Sequence, residues 1–546
     1  MSEKQMVVFS IGPVQSFIAS ARKTEDLWSG SFILSFLIER AMETLCSQGL
    51  KVEFIYPKAS EDDLNPMKKT GYNANVASWP NRFTAFVNGS LDETTNVLKK
   101  VDSVVRREFK KICHYAINEV FPKHIQTDQL LKQANHQIEQ LLEVYWVVQP
   151  YNGHYREEKS TLEARLSAVK NDKIYHQLIE SGFTCTVCAQ RDALCMEPFD
   201  QYETIYELKN KVKNTWKHRN EKFKGTDEGK DDGRIRDNEY LCSICLGKRV
   251  ARDYFKEVYR NASSFKFYPS VIEIAGKYTY FAILSMDGDN MGSWFNSNTA
   301  EEAGKVSDAL ATFSRRVVPE VVRKEEGYLV YAGGDDVLAF LPVDKALQVA
   351  NELRQKFGMK GSGLQGATAS VGLVIGHKKA PLQLLLQEAK KLENLAKSYV
   401  YKEQNQQKNA LAIGVHTRSE KHETVVPWQI DGMQTSDLLN EIIELLTNDL
   451  SDTFIYRFSE VFLPLNDYDS KDKHLMVEFE LRRLLRRSMK VKKEEKELTN
   501  ILEKLMALYK SMESVKSFVM LLRMLTFFKR MEKQDKGGNN HEDDNA

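Results

Sequence analysis

The chain has 546 residues, of which 42% are hydrophobic, 28% charged and 10% aromatic. This length exceeds what one hydrophobic core usually serves, and the composition excludes a mainly disordered protein. Lysine and arginine number 77 against 76 acidic residues, so the net charge of +1 provides no global attraction to nucleic acid or membranes. Seven cysteines in so long a chain do not indicate a disulfide framework.

The start of the chain shows neither a secretory signal nor a membrane span. The apolar stretch 32–38 is interrupted by Ser35 and is much shorter than the ~20 residues that a spanning helix needs. Residues 1–4 lead into a strand-like run rather than into the apolar core of a signal peptide. We therefore expect a cytoplasmic protein without membrane contact.

The first part of the chain predicts a β-α-β-β unit with a helical extension. Apolar, β-branched runs predict strands at 5–11, 52–56 and 83–87. Helical spacing predicts helices at 14–21 and 32–45, with a break near Ser29-Gly30, and a helical region at about 98–145. The polar segment 151–159 marks a boundary, and the charged, glycine-containing segment 217–237 predicts a solvated loop.

A second, sharper pattern begins near residue 278. It predicts a β-α-β-β-α-β unit with one further helix and strand, and the ferredoxin-like fold has this order of elements. The expected strands are 280–286, 328–332, 337–341, 368–375 and 410–415, and the expected helices are 300–323, 344–357 and 381–397. We expect Asp344 to cap the helix that it begins.

Strand signals cease after Pro427. Amphipathic spacing predicts helices at 436–448, 475–489, 494–512 and 515–533, which indicates a helical bundle. The last segment, 534–546, has no apolar residue except Ala546, so we expect a disordered tail.

Three carboxylates are expected to converge at one edge of the second unit. Asp287 follows a predicted strand, and Asp335 and Asp336 follow Gly333-Gly334 at the tip of a predicted hairpin. Clustered carboxylates repel one another unless a cation neutralises them, and hard oxygen ligands suit Mg²⁺ or Mn²⁺. The glycines permit a tight turn and leave the backbone open to a triphosphate. This combination favours nucleotidyl transfer, although Gly and Asp are also ordinary turn formers.

Four cysteines form two C-x-x-C pairs, Cys185 with Cys188 and Cys242 with Cys245. Four thiolates close a tetrahedral Zn²⁺ site, which leaves no open position and is therefore structural. The 53 residues between the pairs exceed the usual zinc-ribbon spacing, so two separate knuckles remain an alternative. Redox C-x-x-C motifs do not usually occur in pairs, which disfavours a redox role.

A basic cluster lies in the predicted C-terminal bundle. Its members recur at helical spacing, and we name four as candidate RNA or subunit contacts: Arg482, Arg483, Arg486 and Arg487. A solvated charged helix face is the alternative interpretation.

These motifs together resemble the large, polymerase-like palm subunit of type III CRISPR effector complexes, in the Cmr-type branch. The residues that carry the resemblance are Ile11-Gly-Pro-Val-Gln15, Ala21-Arg-Lys-Thr24, Asp26-Leu-Trp28, Pro80-Asn-Arg82, both cysteine pairs, Met286-Asp-Gly-Asp289, Met291-Gly292 and Tyr331-Ala-Gly-Gly-Asp-Asp336. The resemblance implies an α+β fold, with two ferredoxin-like palm domains, a zinc-binding insertion and a C-terminal helical bundle. We place these at 1–155, 276–425, 156–275 and 426–533.

The resemblance also implies a function. In this family, pairing of target RNA with a guide RNA switches on the conversion of ATP to cyclic oligoadenylate within a multi-subunit ribonucleoprotein. Asp287, Asp335 and Asp336 match the family's metal-binding acids, and Gly333 and Gly334 match the turn beside the triphosphate. We also expect nucleotide contacts from Asp289 and Lys397. Lys397 lies where related palm cyclases carry a phosphate-contacting lysine. The alternative for Asp289 is turn capping, and the alternative for Lys397 is a position on a solvated helix face.

Two departures from the family pattern bear on the expected chemistry. Full-length members often begin with an HD nuclease domain, whereas this chain opens on the palm strand and contains no His-Asp dipeptide, so we expect no cleavage of single-stranded DNA. The connection 402–408 replaces the family's usual glycine-arginine turn, which alters the nucleotide contacts there.

Three other functions compete with oligoadenylate synthesis. Some members without the nuclease domain join AMP to S-adenosylmethionine, and the residues do not distinguish that product. A diguanylate-cyclase-like enzyme would also use a Gly-Gly turn, but its usual glutamate is Asp336 here and the cysteine pairs have no place in it. A catalytically silent scaffold of the same complex is the third, and the intact acids disfavour it.

Overall fold

A computed structural model describes most of the chain. The described residues are 3–60, 63–64, 75–172, 182–200, 202–224, 234–259, 265, 268–401, 406–417, 420–451, 453–466, 472–490 and 493–536. Parts of the expected loop at 217–237, of the connection at 402–408 and of the expected tail lie outside them, at 225–233, 402–405 and 537–546.

The chain forms two compact units. The first comprises residues 1–270, 290–319 and 329–335, and the second comprises residues 271–289, 320–328 and 336–546. The finer division into four domains and a tail remains a prediction.

The described elements include both strands and helices up to β14 and are helical after it. The strands are β1 (Lys4–Gly12), β2 (Lys51–Tyr56), β3 (Arg82–Asn88), β4 (Glu143–Pro150), β5 (Tyr280–Gly288), β6 (Tyr328–Gly333), β7 (Asp336–Pro342), β8 (Ala369–His377), β9 (Val400–Tyr401), β10 (Gln406–Gln407), β11 (Ala410–His416), β12 (Lys421–Pro427), β13 (Gln429–Ile430) and β14 (Met433–Gln434). The helices are α1 (Gln15–Ala19), α2 (Thr24–Cys46), α3 (Leu91–Val120), α4 (Asp128–Leu141), α5 (Tyr155–Asn171), α6 (Ile205–Lys217), α7 (Ser243–Val258), α8 (Val271–Ala275), α9 (Met291–Trp294), α10 (Ala300–Thr312), α11 (Val318–Lys324), α12 (Ala346–Phe357), α13 (Leu382–Ser398), α14 (Thr435–Asn448), α15 (Thr453–Phe462), α16 (Lys473–Ser488), α17 (Glu495–Lys510) and α18 (Val515–Lys536).

The first sheet has the strand order β2-β3-β1-β4, with β1 antiparallel to both β3 and β4. The expected strands β1, β2 and β3 are confirmed. Strand β4 replaces the end of the expected helical region, because its side chains alternate between two cores. Val144, Trp146 and Val148 pack against the larger core, while Tyr145 and Val147 pack against the smaller one, as a strand requires.

Helix α2 is continuous where we expected a break at Ser29-Gly30. A side chain at Gly30 would approach Cε of Lys248 to 3.1 Å and Cα of Ile18 to 3.2 Å. Glycine is therefore needed here for close packing against two neighbouring segments. The expectation of a break was wrong, because the sequence pattern does not reveal these contacts.

The second sheet has the strand order β12-β11-β8-β5-β7-β6. Strand β5 is antiparallel to β7 and β8, and β11 extends the sheet parallel to β8. The ferredoxin-like order of β5, β6, β7 and β8 is confirmed, and β6 falls almost wholly in the first unit. Sequence reasoning missed β12, an edge strand whose first residues, Lys421 to Glu423, are polar, as is common at exposed sheet edges.

Helix α12 begins at Ala346, and its N-cap residue, Lys345, makes no side-chain capping bond. The expected cap by Asp344 was therefore wrong. The amide of Lys345 instead donates to the Pro342 carbonyl oxygen at 3.2 Å, so a backbone turn leads into the helix.

Five helices follow the second sheet, and four of them occupy the expected ranges. The fifth, α15, was missed, although Phe454, Phe458 and Phe462 form a buried stripe at helical spacing. The helices belong to the second unit, where the Tyr399 hydroxyl donates to the Ser511 carbonyl oxygen at 2.6 Å. Among the described helices, none combines the length and hydropathy needed to cross a membrane.

Candidate functional site

Two of the predicted acids lie side by side on neighbouring strands. Met286 of β5 pairs with Val337 of β7 in antiparallel register, so the next positions along these strands are Asp287 and Asp336. Residues opposed in this way have Cα atoms about 4.5–5.5 Å apart and present their side chains on one face of the sheet. The register therefore brings together two hard oxygen ligands.

The third acid, Asp335, follows Gly334 in the turn between β6 and β7. Gly334 has a φ of +72°, which L side chains rarely adopt, so the expected tight turn requires glycine there. At Gly333, an added Cβ would lie 1.8 Å from the Tyr331 hydroxyl oxygen. The Tyr331 side chain thus covers the Gly333 backbone, which we had expected to be open to a triphosphate.

Lys397 extends from the last turn of α13 to the acid pair. Its Nζ lies 2.7 Å from Oδ2 of Asp287 and 3.1 Å from Oε1 of Glu393. Burial alone would lower the pKa of Lys397, but the hydrogen bond and charge of Asp287, followed by Glu393, raise it above its ordinary value. Lys397 is therefore a protonated cation bound to a predicted metal ligand.

Glu393 occupies the covered side of the same helix. Its side chain is 1% exposed, and it accepts hydrogen bonds from Ser285 Oγ and Lys390 Nζ, both at 2.6 Å. Helix α13 approaches β8 closely at Gly372, where an added Cβ would lie 2.3 Å from the Glu393 amide nitrogen. This approach brings Glu393 against β5.

Asp289 is a structural residue in this geometry. It is 3% exposed, and its oxygens accept from Thr368 Oγ1 at 2.8 Å, Ser370 Oγ at 2.7 Å and the Asn409 amide at 3.0 Å. These bonds tie the end of β5 to β8 and to the segment before β11. These bonds and its burial fit the alternative of a turn-capping role, and the nucleotide contact by Asp289 stays a prediction.

The residues around Asp287 fit a divalent cation. Asp287 and Asp336 supply hard oxygen donors from two rigid strands, and such donors suit Mg²⁺ or Mn²⁺. The Lys397 ammonium group lies 2.7 Å from Asp287, so the Asp287 carboxylate accommodates a positive charge beside it. The arrangement can therefore bind metal and phosphate at adjacent positions.

The four paired cysteines converge on one point in the first unit. Their sulfur atoms all lie within 4.8 Å of one another, and Sγ of Cys188 is 3.8 Å from Sγ of Cys242. Four sulfurs at ~2.3 Å from a tetrahedral Zn²⁺ would be about 3.8 Å apart. The geometry therefore favours one four-sulfur site over two separate knuckles.

Helix α7, whose N-cap residue is Cys242, also carries a buried basic pair that sequence reasoning missed. Nζ of Lys248 donates to the carbonyl oxygens of Phe17 and Ser20 at 2.6 and 2.7 Å. Arg249 is fully buried and binds Asp26 at 2.6 Å and Glu239 at 2.9 Å. The cysteine-bearing helix α7 is thus joined to α1 and α2 by charge-assisted bonds.

The four arginines of the C-terminal cluster differ in their partners. Arg482 lies 3.4 Å from Glu478, Arg483 binds Glu480 at 2.6 Å, and Arg486 pairs with Glu495. Within the part of the chain that the structure describes, Arg487 has no acidic partner within ion-pair distance, and its side chain is exposed. Arg487 is thus the strongest candidate of the four for a phosphate contact.

A third group of metal-type ligands is formed by Glu388, His416 and Glu423, whose donor atoms lie within 4.8 Å of one another. Nζ of Lys421 lies 2.6 Å from Glu388 and 2.7 Å from Glu423, and Lys391 lies 3.1 Å from Glu423. Two ammonium groups thus balance two carboxylates. We interpret this group as an ion-pair network on β11, β12 and α13.

Glu393 is the site residue that sequence reasoning missed most clearly. It stands among Leu385, Ala389, Leu392 and Ala396 on the buried face of α13. A lone acid on an apolar helix face, four residues before a lysine, signals a buried charge with a partner.

Two family models match parts of the chain. Residues 280–412 match the second palm domain of Cas10/Cmr2, and residues 6–114 match the N-terminal region of the CRISPR-associated protein Cmr2. Both segments are therefore similar to Cas10/Cmr2 proteins. The segment that matches the second palm domain includes Asp287, Asp336 and Lys397, so the candidate site lies within it.

Two sequence relatives carry Cmr2 or Cas10 in their names. The Cmr subunit Cmr2 of Pyrococcus furiosus is 26% identical over 581 residues, which cover 81% of this chain and 65% of that protein. The chain thus spans slightly less than two thirds of this relative. A single-strand-specific deoxyribonuclease, Cas10/Csm1 of subtype III-A from Methanocaldococcus jannaschii, is 29% identical over 154 residues, which cover 24% of this chain and 19% of that protein.

Solved structures of Cas10-type proteins have the same fold. A chain of the type III-B Cmr-beta complex bound to cognate target RNA matches with a TM-score of 0.65 at 14% identity, covering 96% of this chain and 83% of that one. A chain of the Csm1–Csm4 cassette in complex with cA4 matches with a TM-score of 0.51 at 12% identity, covering 97% and 70%. The expected α+β fold with palm-like sheets and a helical C-terminal part is thereby confirmed.

Proposed function

We propose that this Cas10/Cmr2 chain converts ATP to cyclic oligoadenylate by metal-dependent nucleotidyl transfer. The observation that carries the proposal is the register of β5 and β7, which brings Asp287 and Asp336 together beside the Gly-Gly turn. The match to the Cas10/Cmr2 palm and the likeness in fold to a chain of the Csm1–Csm4 cassette solved with cA4 support it.

The chain's own groups supply most of what this reaction needs. Asp287, Asp335 and Asp336 would hold Mg²⁺ or Mn²⁺, which when bound neutralises phosphate charge and clamps the attacking and leaving oxygens. The protonated amine of Lys397 lies beside Asp287 and would bind a phosphate oxygen of ATP. The strands that carry these acids would help to position the α-phosphorus for attack by a ribose hydroxyl, which forms the new P–O bond as pyrophosphate leaves.

We further propose that the chain acts within an RNA-guided type III complex. The support is the match to Cmr2 of Pyrococcus furiosus and the fold shared with a chain of the target-bound Cmr-beta complex. Guide RNA, target RNA and the other subunits would be its partners. Arg487 is the proposed phosphate contact, because the other three arginines of its cluster are paired with glutamates.

The test is conversion of α-labelled ATP by the reconstituted complex, with and without matched target RNA and with and without S-adenosylmethionine. We expect target-dependent cyclic oligoadenylate, identified by mass spectrometry, and its loss in an Asp335→Ala, Asp336→Ala double variant. A labelled product that requires S-adenosylmethionine would instead establish AMP transfer to that molecule. No labelled product from a complex shown to bind target would establish a scaffold.

A further inference from the structure

We propose that the Lys397 ammonium group binds Asp287 in the position that a divalent metal ion would take. The buried Glu393 is the positioning residue that holds this ammonium group beside Asp287. A divalent cation that binds Asp287 would displace the ammonium group, which Glu393 then retains beside the site for a phosphate. This inference rests on the proposed function, because it concerns the same acids.

Glu393 is fixed in place. It is 1% exposed, and a carboxylate that is buried to this extent requires charged or hydrogen-bonding partners. Ser285 Oγ and Lys390 Nζ each donate at 2.6 Å, and Lys397 Nζ lies 3.1 Å away. The close contact of α13 with β8 at Gly372 prevents the Glu393 backbone from moving without a shift of the helix.

Lys397 is the mobile partner. It lies one residue before the end of α13 at Ser398, and its side chain is 28% exposed. A lysine side chain has four rotatable bonds, so its ammonium group can leave Asp287 and remain within reach of Glu393. Only one of its two anchors, Asp287, is a proposed metal ligand.

A neighbouring acid distinguishes this group from the ion-pair network around Lys421. There, Lys391 and Lys421 bind Glu388 and Glu423. Beside Lys397, the strand register opposes Asp336 to Asp287, so a divalent cation at Asp287 would lie beside a second hard oxygen donor. Carboxylates attract a divalent charge more strongly than a single ammonium charge, so exchange of lysine for metal is favourable here.

The test measures Mn²⁺ binding to the zinc-loaded full chain without nucleotide, by electron paramagnetic resonance of free Mn²⁺. Lys397→Met removes the competing cation, and we expect on the order of tenfold tighter Mn²⁺ binding, together with weaker binding of a non-reactive ATP analogue. Glu393→Gln removes the anchor that retains the displaced ammonium group, so weaker binding of the ATP analogue without tighter Mn²⁺ binding is expected. Lys356→Met in α12, where Lys356 is 36% exposed and its Nζ lies 3.4 Å from Glu352, is the control and should bind Mn²⁺ as the unmodified chain does.

Mn²⁺ binding by Lys397→Met that is equal to or weaker than that of Lys356→Met would overturn the inference. If Asp287→Asn still abolished that binding, the proposed metal site would stand while the lysine exchange failed. If neither the unmodified chain nor Lys397→Met bound Mn²⁺ at the acids, both the inference and the proposed metal-dependent function would fail. Thermal melting of each variant shows whether it is folded. If Glu393→Gln is unfolded, the Lys397→Met result still decides whether Lys397 competes with metal at Asp287.

Discussion

Replacing Arg249 with Met should destabilise the first unit strongly. Arg249 is 0% exposed and neutralises two carboxylates, Asp26 at 2% exposure and Glu239 at 6%. Methionine fills a similar volume but leaves both acids buried without their cation. Removing one partner of a buried ion pair costs about 3–5 kcal/mol. At ~2.1 cal/mol/K of unfolding entropy per residue, each kcal/mol lowers Tm by about 1.5 °C in a unit of about 300 residues. We therefore expect a loss of about 5 °C or more.

The assay is thermal and urea denaturation of the zinc-loaded chain, compared with Lys256→Met on the same helix. Lys256 is 33% exposed, and its Nζ lies 3.7 Å from Asp253, so its loss should cost less than ~1 kcal/mol. Adding Asp26→Asn to Arg249→Met should recover part of the lost stability, because one unpaired charge is removed. Equal stability of the Arg249→Met and Lys256→Met chains would refute the assigned role of the buried pair.

The same cluster predicts a pH dependence with a definite sign. Burial alone would raise the pKa values of Asp26 and Glu239, but Arg249 holds both below their ordinary values of 3.8 and 4.5. The folded state therefore binds fewer protons than the unfolded state as these groups titrate. Their contribution to stability is complete above about pH 4.5 and is lost as the pH falls further. The stability difference between the unmodified chain and Arg249→Met should shrink over that acidic range.

Three further predictions follow from the zinc site, the packing of α13 and the arginine cluster. Cys242→Ser should abolish the binding of one zinc per chain, measured by atomic spectroscopy, and increase proteolysis around the four paired cysteines. Cys46→Ser, outside this group, should retain zinc. Gly372→Ala should destabilise the second unit by about 1–3 kcal/mol, because its Cβ would lie 2.3 Å from a backbone nitrogen, and Gly292→Ala, with no atom within 4 Å, should be nearly neutral in thermal melting. Arg487→Ala should weaken RNA binding by the reconstituted complex and lower its salt dependence more than Arg483→Ala does, and equal effects of the two would contradict the assignment.

Much of the fold was predictable because its signals are local in sequence. The strands next to Asp287 and to the Gly-Gly turn are apolar runs that end at these polar or glycine residues. The C-x-x-C spacing of the two cysteine pairs is typical of zinc ligands. Ferredoxin-like topology then follows from the order of the elements and from short connections.

The remaining features depend on contacts between distant segments. Gly30 permits the approach of Lys248, a residue 218 positions later in the chain, so its role in a continuous helix is not visible locally. Strand β4 alternates between two cores that the sequence does not identify in advance. The burial of Asp289 and Glu393 likewise depends on partners from other strands and helices, which is why one was interpreted as a nucleotide contact and the other was missed.

The most direct test of the central claim is ATP turnover by complexes that carry single isosteric changes at the acid pair. Asp287→Asn and Asp336→Asn keep the shape of each side chain but remove its charge, and Asp344→Asn changes an exposed acid just beyond strand β7. With target RNA and Mg²⁺ or Mn²⁺ present, the first two complexes should lose oligoadenylate formation by at least a hundredfold, while the third retains it. Turnover by either acid-pair variant at the rate of Asp344→Asn would contradict metal-dependent catalysis at this site.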